Sequence, residues 1–454
     1  MRRKKEPVLS FAVIETGQLK IVMEYEKKYK RLSDQLDQHT EVLNLAHRDL
    51  RKVSQGGPKG RKGDFTTENI LRVLIVMMVE NLSLRKTIVR IAHSGFLQNF
   101  VRLVDNKVMD FSFLDKCLHA IEPETWQKMN AVLARQAAAE GIIDPSAIRT
   151  DTTVIEANIH FPTDSSLLWD CWRGVARELR RAHKRCRYPL FHRFHDKKVK
   201  ALHLFITRYA ASNSKKRQQA VRSTFRTLLE RVRWITDIAE SFCADVAGTL
   251  DFDLEGIAAK LRDVLPSVHT VIDTSERAGL RGEKVPASER VFSVFEPHVE
   301  LIKRGKRSKP VEFGHKLVLS QVAQKFISHY ELLEVQEPDN ETTEPSANAH
   351  RKTFGTYPDA MAGDTAMNPG GEKRARLEAK VRVLAIPRKL SDWADETLVE
   401  WQGFRAGIEG TISVLKRAFR LGRCLFRGFK HFAQAVGLSV VAHNLVVLAA
   451  HGTG

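Results

Sequence analysis

The chain has 454 residues and carries 73 Lys plus Arg against 54 Asp plus Glu, a formal net charge of +19. Hydrophobic residues make up 43% and charged residues 28%, which excludes a wholly disordered basic tail and leaves room for roughly two to four domains with ample core. The cationic surplus points to a polyanionic partner, nucleic acid first, although a merely basic enzyme has the same composition. Five scattered cysteines, Cys117, Cys171, Cys186, Cys243 and Cys424, form no C-x-x-C pair and imply reduced thiols in a cytoplasmic protein. The apolar part of the basic start is broken by Glu15, and the run from Ala433 to Ala450 contains Gln434, His443 and Asn444. Neither an export signal nor a membrane span is expected.

In chain order, residues 15 to 55 show helical spacing at Leu32, Leu36, Val42, Leu43 and Leu45, then break at SQGGPKGRKG. One or two exposed helices and a basic linker are predicted there. ENILRVLIVMMVE and LRKTIVRIAHS predict two helices joined by a short turn, the pattern of a helix-turn-helix that any αα-hairpin shares. Further helical patterns fill the stretch to residue 145. AIRTDTTVIEANI then alternates and is rich in Ile, Thr and Val, which predicts a strand. From Ser165 to about Leu265 helical spacing returns with a dense basic block, including Arg173, Arg177, Arg180, Arg181, Lys184 and Arg185, that few acids offset. RVFSVFEPHVELIKRG and EFGHKLVLSQVAQKFISHYELLE predict strands; QEPDNETTEPSANAH predicts a loop or helix start; PDAMAGDTA and KVRVLAIPR predict short buried strands; and helices close the chain.

Three carboxylates stand out by context. Asp151 lies in the middle of the first strand, Asp364 follows the apolar run AMAG, and Glu409 lies in the helix FRAGIEGTISVLKRAF. In α/β sheets functional groups collect at strand ends and on adjoining helices, so the three can converge. Converging carboxylates supply the oxygen ligands that two Mg²⁺ ions need to clamp the oxygens of a phosphoryl transfer, and no Cys/His cluster competes. Arg405, Glu409 and Lys416 are spaced by four and seven residues and project from nearly one helix face. That stripe suits a scissile phosphate. It equally suits a solvated Arg405–Glu409 ion pair worth about 0.3 to 0.5 kcal/mol.

TDTTVIEANIHFPTDSSLLWD, LRGEKVPASERVFSVFEPHVELIKRGK, PVEFGHKLVLSQ and FRAGIEGTISVLKRAFRLGRCLFRGF resemble segments of bacterial insertion-sequence DDE transposases of the ISNCY-like group. The last resembles that group's signature helix, with its Arg, Glu and Lys. The order of predicted elements describes an α/β fold, a mixed core with a large helical insertion, preceded by an all-α N-terminal domain; the resemblance implies that this mixed-sheet catalytic core, interrupted by the insertion, is RNase H-like. It implies Asp151, Asp364 and Glu409 as catalytic and metal-binding residues holding Mg²⁺, or Mn²⁺ in its place, as two ions. Arg405 and Lys416 are then expected on transposon-end DNA. Two positions depart from the group's pattern: Gln402 stands where relatives carry Tyr, and Thr365, Ala366 and Met367 follow Asp364 in place of a Gly-aromatic turn.

The expected organisation is a basic helical arm and linker (1–60), an α-helical DNA-binding domain (61–145), a catalytic core (146–164 and 290–454) and a basic helical insertion (165–289). The expected function is a DNA transposase that cuts and joins element ends without a covalent enzyme intermediate. Its expected partners are double-stranded terminal repeats, target DNA and a second copy of the chain, in the nucleoid-associated bacterial cytoplasm, with no membrane. A transposase-derived protein that binds ends without cleaving them stays open, as does an RNA-processing nuclease on the same core.

Overall fold

The computed structural model describes residues 4, 19–53, 65–103, 107–303, 310–389 and 396–451. Most of the expected N-terminal arm before residue 19, and the basic linker at 54–63, lie outside the described residues. The chain divides into two compact units, residues 1–158 with 314–454, and residues 159–313. The division differs from the sequence expectation. The inserted unit is longer at both ends, and the N-terminal helices cluster with the sheet.

In the larger unit α1 (Lys20–Gln38) and α2 (Thr40–Leu50) precede α3 (Thr67–Val79), α4 (Leu84–Ala92), α5 (Gly95–Phe100), α6 (Phe111–Ala120) and α7 (Pro123–Ala139), which lead into β1 (Ala147–Ala157). The first two helices are not the exposed pair expected. Tyr29, Leu32, Val42, Ala46 and Leu50 are buried. Helix α3 begins with a capping box between Thr66 and Asn69, which satisfies donors its first turn leaves open. Its buried Arg72 donates to Glu68 and Asp37, and Arg102 donates to the same two carboxylates. Buried charge is tolerated here because each ion has hydrogen-bonded partners. The expected helix pair is α3 and α4; α3 is buried almost throughout, while α4 exposes Arg85, Lys86 and Arg90.

The inserted unit is a helical bundle of α8 (Asp164–Cys186), α9 (Asp196–Tyr209), α10 (Lys215–Val246) and α11 (Phe252–Gly279), followed by the short strand β2 (Glu300–Lys303). Leu168, Trp172, Val175 and Leu179 form one stripe of α8 and pack with Leu228, Val232, Phe242, Leu261 and Val268 in its core. Of the strand predicted over 290–305, β2 is the part that forms; turns around Pro297 occupy the residues before it.

The chain re-enters the larger unit along β3 (Val311–Gln321). It continues through β4 (Ile327–Leu332), α12 (Thr343–Phe354), β5 (Ala360–Ala362), α13 (Gly371–Glu378), β6 (Val383–Ala385), α14 (Glu396–Ala418), β7 (Arg423–Cys424) and α15 (Phe429–His451). The result is a mixed α/β fold. Strands β4, β3 and β1 run antiparallel in turn, with Asp151 opposite Leu319, and β5 and β6 continue the sheet in parallel from β1. Gly314 faces Glu156 in this ladder, and a Cβ there would lie 1.9 Å from the Ile155 carbonyl oxygen. Helix α15 is long and apolar enough to cross a membrane, but 89% of its apolar window is buried inside the structure. It packs on α1, α3, α7 and β4. Asn444 fixes this packing by donating to Asn130 of α7 and accepting from the Ile327 amide of β4.

Candidate active site

The sheet leaves an opening beside Asp151. Along one edge of β1, Ala147 to Arg149 pair with β5, and Glu156 and Ala157 pair with β7. Between them, residues 150 to 155 have no strand partner on that edge among the described residues. The Thr152 amide donates to Asp151 Oδ1 at 2.7 Å. Strand β5 stops at Ala362, and Asp364 follows as the cap of a single 3₁₀ turn, accepting the Thr365 amide on Oδ1 at 2.7 Å. Asp151 and Asp364 are therefore carried by neighbouring parallel strands and come together at the opening. Each has a second carboxylate oxygen with no hydrogen bond among the described residues.

Burial raises the Asp151 pKa to about 6, and the negative charges of Asp364 and Asp339 act in the same direction. The Thr152 amide and the Arg405 guanidinium oppose the shift without cancelling it. A half-buried acid next to two others and one cation is the electrostatic pattern of a candidate functional site.

Helix α14 is bolted to β1 and β3. Arg149, two residues before Asp151 and buried, donates from Nε to Gln321 Oε1 at 2.8 Å and from Nη1 to the Phe404 carbonyl at 2.7 Å. Its guanidinium lies 4.9 Å from the centre of the Phe404 ring. Gln321 in turn donates to Thr411 Oγ1 at 2.6 Å. These anchors bracket Arg405 and Glu409. Arg405 is held near Asp151 and donates to Glu409 Oε1 at 3.0 Å, with the Arg405 side chain 19% and the Glu409 side chain 61% exposed. The structure thus brings Asp151, Asp364 and Arg405 together, whereas Glu409 turns to Arg405 and to solvent. Lys416 lies partly buried in the last turn of the same helix.

Asp339 is the residue that sequence reasoning missed. It sits in the 3₁₀ turn before α12, and its Oδ1 accepts from Thr152 Oγ1 at 3.0 Å and from Lys316 Nζ at 2.7 Å. Lys316 also donates to the Glu337 carbonyl at 2.6 Å, and its side chain is only 10% exposed. The signal available in the sequence was Lys316 itself: a lysine inside the apolar strand GHKLVLS needs a buried acceptor. Replacing Lys316 by Met is expected to remove a donor from the Glu337 carbonyl, to leave Asp339 with Thr152 but without its cation, and to lower stability by about 1 to 3 kcal/mol in urea unfolding.

The donor set around Asp151 is all oxygen and suits a hard divalent cation. Thr365 Oγ1 beside Asp364 is a buried polar atom without a partner among the described residues. Among those residues, however, no three His, Cys, Asp or Glu side chains are gathered closely enough to hold a metal, because Glu409 stands apart on Arg405.

The basic block of α8 is far less naked than its composition suggests. Arg173 pairs with Asp170, Arg177 and Arg181 with Glu178, and Arg180 makes a two-pronged contact with Asp196 of α9. Lys184 and Arg185, near the end of the helix, are exposed and carry no ion pair among the described residues. No protein-family model matches the chain, nor does any curated protein or any solved structure.

Proposed function

We propose that the chain is a DNA transposase of the DDE type, cleaving and joining transposon ends by metal-dependent phosphoryl transfer on an RNase H-like core. One observation carries the reading: Asp151 and Asp364 meet at an opening in the sheet while α14 holds Arg405 over the same place. The order β4-β3-β1-β5-β6, three antiparallel strands followed through a helix by two parallel ones, supports an RNase H-like core. Asp151 and Asp364 offer their open oxygens to Mg²⁺ or Mn²⁺. When the cation is bound, the site gains a Lewis acid for water or a 3′-hydroxyl as nucleophile and for the leaving oxygen. Arg405 neutralises a non-bridging phosphate oxygen and aligns the scissile group, and Lys416 on the same helix takes an adjacent phosphate. Exposed Arg85, Lys86 and Arg90 of α4, with Lys184 and Arg185 of α8, contribute phosphate contacts that do not depend on base sequence. Work on paired ends in the bacterial nucleoid calls for a homo-oligomer, at least a dimer on DNA.

A second reading, a transposase-derived protein that binds ends without cutting, draws on Glu409 being occupied by Arg405 and on the altered turn after Asp364. Mg²⁺-dependent nicking of terminal-repeat duplex, measured beside binding of the same duplex, separates the two. Under the first reading Glu409→Gln lowers the nicking rate roughly tenfold or more with binding retained. Full Mg²⁺-dependent nicking by that variant removes Glu409 from the catalytic set.

A further inference from the structure

A cleft of about 430 Å³ opens in the helical unit between the end of α9, the first turns of α10 and the chain reversal after α11. Its size lies in the range of small-ligand sites. Val221, Phe225 and Leu280 give it an apolar wall and Gln218, Arg222 and Arg281 a polar one; Arg281 is already paired with Glu276 at 3.4 Å and Glu283 at 4.0 Å, which leaves Arg222 as the cation without a carboxylate partner among the described residues. The packing beneath it is tight. A Cβ on Gly279 would lie 2.6 Å from the Phe225 ring, so α10 and α11 approach here only because residue 279 has no side chain. Arg222 is fixed in place by donating from Nη2 to the Leu280 carbonyl at 2.6 Å. Its Nε and Nη1 have no partner among the described residues, so a preset guanidinium keeps donors for an anion. Lys215, Lys216 and Arg217 follow one another at the start of α10 with no acid in that turn, and Arg217 lies 5.1 Å from the centre of the Tyr209 ring at the rim.

An apolar wall beside a fixed guanidinium with open donors selects a ligand that is anionic at one end and flat and apolar at the other. Together with the surplus of +19, that chemistry describes a nucleotide. A paired base cannot enter a cleft, since its faces are stacked and its edge is occupied. We propose that the cleft binds one unpaired nucleotide of a single-stranded DNA segment, with the phosphate on Arg222 and the base against Val221, Phe225 and Leu280. The proposal does not rest on the carboxylate site, and it holds whether or not the chain cleaves DNA.

The test is fluorescence anisotropy on the full chain at fixed salt, with a labelled oligo(dT) strand and a blunt duplex of equal length as probes. Arg222→Gln removes an exposed guanidinium without touching the core, and Val221→Trp fills the cleft. Each is expected to weaken binding of the single strand by about fivefold or more and to leave the duplex within about twofold. Equal weakening of both probes by Arg222→Gln, or no weakening of either, overturns the proposal, because the arginine is then one more general phosphate contact or none. Competition by inorganic phosphate as effective as that by dTMP also overturns it, marking a bare anion site. Competition by dTMP at concentrations matching the strand's own nucleotides assigns the cleft to free mononucleotides instead.

Discussion

Replacing Asp151 by Asn is expected to reduce metal-dependent strand cleavage about a thousandfold or more, and at neutral pH to make the protein more stable than the parent. Both effects come from one placement. Asp151 is half-buried beside two other acids, and its pKa stands at about 6 against an ordinary 3.8. Between those values the folded chain holds a proton that the unfolded chain has lost. Stability therefore falls as pH rises through this window and stays at its lower level above about pH 6. Asn cannot ionise, so the variant escapes that loss. The expected gain is of order 2 kcal/mol at about pH 8 and vanishes below about pH 4. Urea unfolding of parent and variant at the two pH values measures it. Under the proposed function, added Mg²⁺ should stabilise the parent far more than the variant, since the carboxylate disfavoured beside the other acids is the one proposed to meet the cation. A variant no more stable than the parent at about pH 8 would show that Asp151 is solvated there and not part of a strained acidic site.

Much of this arrangement was legible in the chain. Alternation over AIRTDTTVIEANI, with an aspartate where an uncharged residue fits better, located β1 and Asp151 because strand periodicity and the placement of a charge are local properties. The apolar runs AMAG and RVLA located β5 and β6 for the same reason. The interrupted apolar run at the C-terminus was expected as a buried helix, and α15 is one. Reading RVFSVFEPHVELIKRG as strand throughout failed because Pro297 cannot donate to a ladder, and Glu300 to Lys303 are the residues that pair.

The remainder depends on tertiary neighbours. QEPDNET looks like any solvated turn, and Asp339 gains its meaning only from Thr152 and the buried Lys316, 187 and 23 residues away in sequence. The basic block of α8 was judged by its surplus, yet two of its partners are local, Asp170 three residues before Arg173 and Glu178 three before Arg181. Helical spacing would have found those pairs. The Arg180 contact with Asp196 crosses between helices and has no such signal. For Glu409 the spacing left two uses open, and in this conformation the ion pair with Arg405 occupies it. That pair is half exposed and weak, so a phosphate arriving on Arg405 displaces it at little cost.

Gly407→Ala is expected to lower cleavage about a hundredfold and stability by about 2 to 4 kcal/mol, although Ala is the better helix former. A Cβ at 407 would lie 2.0 Å from Arg149 Nη1 and 2.6 Å from the carbon at the centre of its guanidinium. Arg149 cannot simply yield. It is buried, it has no carboxylate partner among the described residues, burial already lowers its pKa, and its charge is met by Gln321, the Phe404 carbonyl and the Phe404 ring. Pushing the guanidinium aside forfeits those contacts. Lifting α14 instead shifts Arg405 and Glu409 from the opening beside Asp151. The same helix supplies its own controls, because a Cβ at Gly403 or Gly410 meets nothing within 4 Å. Ala at either is expected to be neutral or to stabilise by up to about 1 kcal/mol through helix propensity. A double-mutant cycle isolates the cause. In an Arg149→Met background the guanidinium is gone, and Gly407→Ala should lose most of its effect on stability in urea unfolding. If Gly407→Ala costs the same with and without Arg149, the helix is not seated on that arginine, and the anchoring of Arg405 over Asp151 must come from Gln321 and Thr411 alone.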